Sequence, residues 1–142
     1  MPSFTIVGFG LAVSLVAAHP VLAETISFTA ELRGSSEVPA NDSKGAGAVT
    51  ATYDTATKRF MWKGDYSGLS GAATMAHFHG PADPGKNAAV VVPITPSTSP
   101  FDGSAILTDT QAAELMAGKW YVNVHTAAHP GGEIRGQVVK GN

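Results

Sequence analysis

Trp120-Tyr121-Val122-Asn123-Val124-His125-Thr126, a turn through His129-Pro130-Gly131-Gly132, and Glu133-Ile134-Arg135-Gly136-Gln137 form the stretch that decides how this chain folds. Both runs alternate with period two, so successive side chains fall on opposite faces of an extended strand. Trp120, Val122 and Val124 share one face, and Tyr121, Asn123 and His125 the other. In the second run Ile134, Gly136 and Val138 are set against Glu133, Arg135 and Gln137. Two such runs around a Pro-Gly-Gly turn predict antiparallel strands with one apolar and one polar face.

The same reading extends outward. Ile26, Phe28, Ala30 and Leu32 alternate with Ser27, Thr29 and Glu31, which predicts a half-buried first strand ending at Gly34. Residues 35–43 carry Pro39, Asn41 and Asp42 and read as a loop. Gly45 to Tyr53 and Arg59 to Tyr66, around a turn at residues 54–58, predict a hairpin. Ala73 to His79 is a fourth strand, and Ala88 to Ile94 a fifth whose continuous valines predict burial on both sides. One short helix is expected near residues 108–117, with Thr108 as cap, Gln111 as its capping-box partner and Gly118 beyond its end. The sixteen glycines and nine prolines punctuate short strands, so the fold class is all-β: a Greek-key antiparallel sandwich or flattened barrel.

The N-terminus reads differently. Ile6 to Ala18 is a nearly unbroken apolar run, too short to span a bilayer, and Val21-Leu22-Ala23 supplies small residues for a signal peptidase. Residues 1–23 are therefore expected to be a signal peptide and residues 24–142 one exported domain, periplasmic or secreted, with no membrane segment after cleavage. No cysteine is present, which excludes disulfides and thiolate metal sites. A net charge of −2 with scattered Lys and Arg gives no basic stripe, so no nucleic-acid partner is expected.

Four of the five histidines lie in two segments, Ala76-His77-Phe78-His79-Gly80 and Val124-His125 through His129. His77 and His79 are two apart on a strand and share a face. If that strand neighbours the one carrying His125, three imidazoles can converge on one cation, with His129 in the following turn as a fourth ligand. Neutral imidazoles without thiolates suit copper(II) and zinc(II), with copper first in the divalent affinity order. Asn123, Glu133 and Arg135 would support the rings from outside. Against this stands a hydrogen-bonded network without an ion, in which Glu133 and Arg135 form a cross-strand pair. Met61, Met75 and Trp62 could soften a copper site, but at strand spacing they read first as core filler. Neither Gly-x-Ser-x-Gly nor Gly-x-x-x-x-Gly-Lys occurs, and no catalytic residue is assigned.

Several stretches together resemble the CHRD domain, named after chordin. They are Phe28-Thr29-Ala30-Glu31-Leu32-Arg33-Gly34 with Glu37-Val38-Pro39, Ala76-His77-Phe78-His79-Gly80-Pro81-Ala82, Leu107-Thr108, Tyr121-Val122-Asn123-Val124-His125-Thr126 and Pro130 through Gln137. The likeness covers residues 24–142. It implies an extracellular binding module, whose partner would be a protein or cell-surface polymer if no metal is held. The family pattern has Asn where this chain has His129. The His-x-His strand is also similar to the copper strand of copper/zinc superoxide dismutases, which implies a copper enzyme as a further alternative.

Overall fold

The computed structural model describes residues 1–3 and 14–142; most of the apolar run at 6–18 lies outside them. Among the described residues nine strands form one antiparallel sheet: β1 (Thr25–Arg33), β2 (Ala46–Asp54), β3 (Arg59–Ser67), β4 (Ala73–His79), β5 (Val90–Pro93), β6 (Phe101–Ile106), β7 (Tyr121–Thr126), β8 (Ile134–Gln137) and β9 (Val139–Lys140). Their order is β5-β4-β7-β8-β1-β2-β3-β6, with β9 pairing β1. The connections from β3 to β4, from β5 to β6 and from β6 to β7 each join strands that are not neighbours in this order, and the last carries the helix; such crossings are the Greek-key trait. Among the described residues no helix is long and apolar enough to cross a membrane.

The sheet curls into a nearly closed flattened barrel because one face of almost every strand is apolar. Phe60 of β3 and Phe78 of β4 are five positions apart in the order, about 24 Å in a flat sheet. Their ring centroids are 5.2 Å apart, edge to face. Trp62 and Trp120 complete this cluster, with centroids 5.6 Å from Phe60. Aromatic pairs of this geometry contribute about 0.5–1.5 kcal/mol each beyond their buried area.

The first strand and the hairpin follow their alternation: Phe28, Ala30, Leu32, Val49, Ala51 and Tyr53 are buried, and β1, β2 and β3 pair in continuous register. Helix α1 (Asp109–Met116) starts at Thr108, whose hydroxyl accepts from the Gln111 N–H while Gln111 Oε1 accepts from the Thr108 N–H. Leu107 and Leu115 plug the end of the core.

Three expectations need correction. The valine run is shorter than expected and forms an edge strand, β5; Val90 is 48 % exposed, Val92 is buried and Pro93 is exposed. An edge tolerates Pro93, which has no N–H to give a ladder. Strand β6 was not anticipated, because Asp102-Gly103-Ser104 interrupts its apolar residues. Gly103 is needed there, since a Cβ would meet the Trp62 indole. Met61 and Met75 are not core filler, being 52 % and 48 % exposed, whereas Trp62 is.

Candidate metal centre

Strands β4, β7 and β8 lie side by side, and their register assembles the polar face. His77 is opposite Asn123, and Asn123 opposite Arg135; His79 faces Tyr121, and Met75 faces His125. All six residues of β7 are buried, polar face included. Three connections roof this face: the 80–89 loop, the 127–132 turn and the segment around Glu37. His79 is 8 % exposed and His125 6 %, while His77 is half-buried at the margin.

One nitrogen from each of His77, His79 and His125 lies within 4.8 Å of the others. His77 Nδ1 and His125 Nε2 are 3.2 Å apart. Two imidazole nitrogens on one zinc or copper ion, each bonded at about 2.0–2.1 Å, are separated by about 2.9 Å at a right angle and about 3.4 Å at a tetrahedral angle. This pair falls between those values. No two ligands of one such ion can exceed about 4.2 Å, so the widest pair must close if it approaches the 4.8 Å bound.

The roof limits where the protons sit. A carbonyl oxygen only accepts, so the Pro130 oxygen, 2.9 Å from His125 Nδ1, takes that N–H and leaves the lone pair on Nε2. The Ala88 oxygen lies 3.0 Å from His79 Nδ1 and likewise only accepts. His79 Nε2 then meets Asn123 Oδ1 at 2.9 Å. Burial holds the His79 pKa below the usual imidazole value despite the hydrogen bonds to Ala88 and Asn123. Burial also lowers that of His77, reinforced by the neighbouring His125 and His79. A neutral His79 has one N–H for two facing oxygens, so one of its nitrogens meets an oxygen with a bare lone pair; a second proton, a rotated Asn123 amide or a cation at Nε2 relieves that contact.

Tyr121 stacks on His79, its hydroxyl donating to the Ala88 oxygen at 3.2 Å. Asn123 Nδ2 points toward Gly131 O, 3.5 Å away, and toward Glu37. Gly132 (φ +127°) allows that approach, because a Cβ there would meet both Glu37 Oε1 and Asn123 Nδ2.

The other expected residues sit elsewhere. His129 is not in the cluster of three; its Nε2 is 3.8 Å from Glu133 Oε1. Glu133 touches none of the three rings through a hydrogen bond and does not pair with Arg135. Fully buried, it accepts from the Thr126 hydroxyl at 2.9 Å, the Ser43 hydroxyl at 2.9 Å, the Ser70 N–H and the Ser70 hydroxyl. Burial opposes its charge, but these donors outweigh it and hold the carboxyl below the usual range. Arg135 donates to Asn87 Oδ1 at 3.0 Å and to the Lys86 oxygen, strapping the 80–89 loop over the site. Sequence reasoning placed Tyr121 on the polar face without giving it a role, and gave none to Glu37, whose signal was the Glu37-Val38-Pro39 stretch.

No curated protein and no solved structure matches the chain significantly. The family model described as CHRD domain matches residues 28–138, from the first buried phenylalanine of β1 to the last buried valine, so this chain belongs to the CHRD-domain family.

Proposed function

We propose that this protein is an exported CHRD-domain module that holds a transition-metal ion, copper(II) ahead of zinc(II), through His77, His79 and His125. The observation that carries this reading is the convergence of three imidazole nitrogens within 4.8 Å, with His79 Nε2 and Asn123 Oδ1 aimed at each other. With its Nδ1 facing the Pro130 oxygen, His125 offers Nε2 to an ion, and His77 stands at the margin of the cluster. Asn123 is the supporting residue closest to a ring; Arg135 acts through Tyr121 and the loop. A binding role is preferred to catalysis because among the described residues no separate nucleophile or general base faces the cluster.

The test is metal analysis of untagged residues 24–142 after equilibration with copper(II) or zinc(II), followed by thermal melting. One equivalent of tightly held metal, a higher melting temperature with copper than with zinc, and loss of both in His79→Ala support the site. Protein that stays metal-free with unchanged melting overturns it and leaves the hydrogen-bonded network as the role of these residues.

A further inference from the structure

Arg135 is 2 % exposed, and its guanidinium is charged at any physiological pH. Buried charges are ordinarily paired. Yet the groups it bonds or stacks with are neutral: the Tyr121 ring, whose centroid is 3.5 Å from Cζ, the Asn87 amide oxygen and the Lys86 carbonyl; Glu37 acts on it through charge alone. No ion pair joins it to a carboxylate among the described residues. Two of its N–H groups are used in those bonds, of about five that a guanidinium carries.

Arg135 also lines a cavity of about 220 Å³, together with Ser36, Glu37, Val38, Pro84, Gly85 and Gln137. That is the space of about seven waters. Glu37, 5 % exposed, does not supply the missing counter-charge in full. Burial pushes its pKa up to about 7 against the pull of Arg135, and its Oε1 has no hydrogen-bond partner.

We propose that this cavity binds a small monocarboxylate, whose oxygens accept from the unused N–H groups of Arg135 while a short carbon tail lies against Val38 and Pro84. One guanidinium balances one negative charge, and its fork matches a carboxylate. The apolar part of the wall favours a short-chain acid over a multiply charged oxyanion. Neutral Glu37 tolerates the anion; ionised Glu37 repels it and takes over as partner of Arg135. Affinity therefore falls as pH rises through about 7. The groups facing Glu37 are Arg135 of β8 and the Asn123 amide of β7; on the covering loop Asp83 is paired with Lys119 and Lys86 offers its carbonyl.

The proposal is independent of metal and is tested on metal-free protein by NMR titration with sodium acetate, sodium butyrate, sodium chloride and inorganic phosphate. Expected are saturable shifts of the Arg135 Nε–H and Gly85 amide signals, with butyrate tighter than acetate. Ser36→Trp, an exposed position at the cavity wall, should weaken butyrate about tenfold or more with unchanged melting. Glu37→Gln should keep binding and lose its pH dependence between about pH 5.5 and 8.5. Non-saturable shifts, shifts that chloride reproduces, equal affinity in Ser36→Trp, or tighter binding of phosphate than of butyrate would overturn it.

Discussion

The Tyr121 ring lies parallel to the His79 imidazole, 4.7 Å between centroids and 4° from coplanar, with the Arg135 guanidinium on its other face. This stack of three buried side chains joins the histidine cluster to the cavity beside Arg135. It also fixes the plane of the His79 ring, whose two nitrogens face the Ala88 oxygen and Asn123 Oδ1.

Tyr121→Phe keeps the stack and removes the hydroxyl that contacts Ala88, so it should cost about 1 kcal/mol of stability and leave copper affinity unchanged. Tyr121→Ala empties the space between His79 and Arg135. A loss of about 3–5 kcal/mol is expected, together with weaker copper binding because the His79 ring is no longer held. Denaturant unfolding and copper titration of both variants separate the hydroxyl from the ring.

His77 tests the metal site without the confusion of a damaged core, because it is half-buried while His79 and His125 are buried. His77→Ala should change stability by about 1 kcal/mol or less and weaken copper by more than the roughly 10- to 100-fold that loss of an outer-shell partner costs. Acid should act in the same direction. The folded pKa values of His77 and His79 lie below the ordinary imidazole value, so their contribution to stability is present above about pH 6.5 and is lost as pH falls through the folded values. Copper should be released over the same interval, since protons compete for the nitrogens. Copper bound equally at about pH 5 and pH 7.5 would contradict histidine ligation.

Much of this was legible because it is local. Period-two alternation located β1, the hairpin and β7, and Thr108 with Gln111 located the helix start. The shared face of His77 and His79 needs only strand geometry. What stayed hidden depends on partners distant in the chain: β6 became a strand because Trp62 packs over Gly103, and the valine run became an edge because β4 pairs β7 on its other side. The roles of Glu133 and Glu37 were illegible for the same reason. Ser43, Ser70 and Thr126 gather around the first, and Asn123, Gly132 and Arg135 around the second, only after the barrel closes.

Glu133 should therefore behave as a structural carboxylate. Its folded pKa is depressed, so the stability it contributes is present above the unfolded carboxyl value of about 4.5 and is lost as pH falls through the folded value. Glu133→Gln replaces an oxygen with an NH₂ group among three hydroxyl donors and one backbone N–H. It should cost about 2–4 kcal/mol and flatten the acid limb of the stability profile, while copper stoichiometry at neutral pH stays intact. Loss of copper without loss of stability would instead place Glu133 at the metal.

Glu37 has the opposite sign. Its folded pKa of about 7 lies above the unfolded value of 4.5, so the folded protein binds the extra proton and the associated stability is fully present below pH 4.5. It drains away as pH rises to about 7 and leaves a constant penalty beyond. The shift corresponds to up to about 3 kcal/mol. Glu37→Gln removes the titration while keeping the shape, so the variant should be the more stable protein at about pH 8 and lose that advantage at about pH 4.5. Chemical denaturation across this range, in metal-free protein without added carboxylate, measures the crossing. Parallel profiles for wild type and variant would mean that Glu37 is solvated like a surface carboxylate, and the uncompensated charge on Arg135 would then have Glu37 itself as its partner.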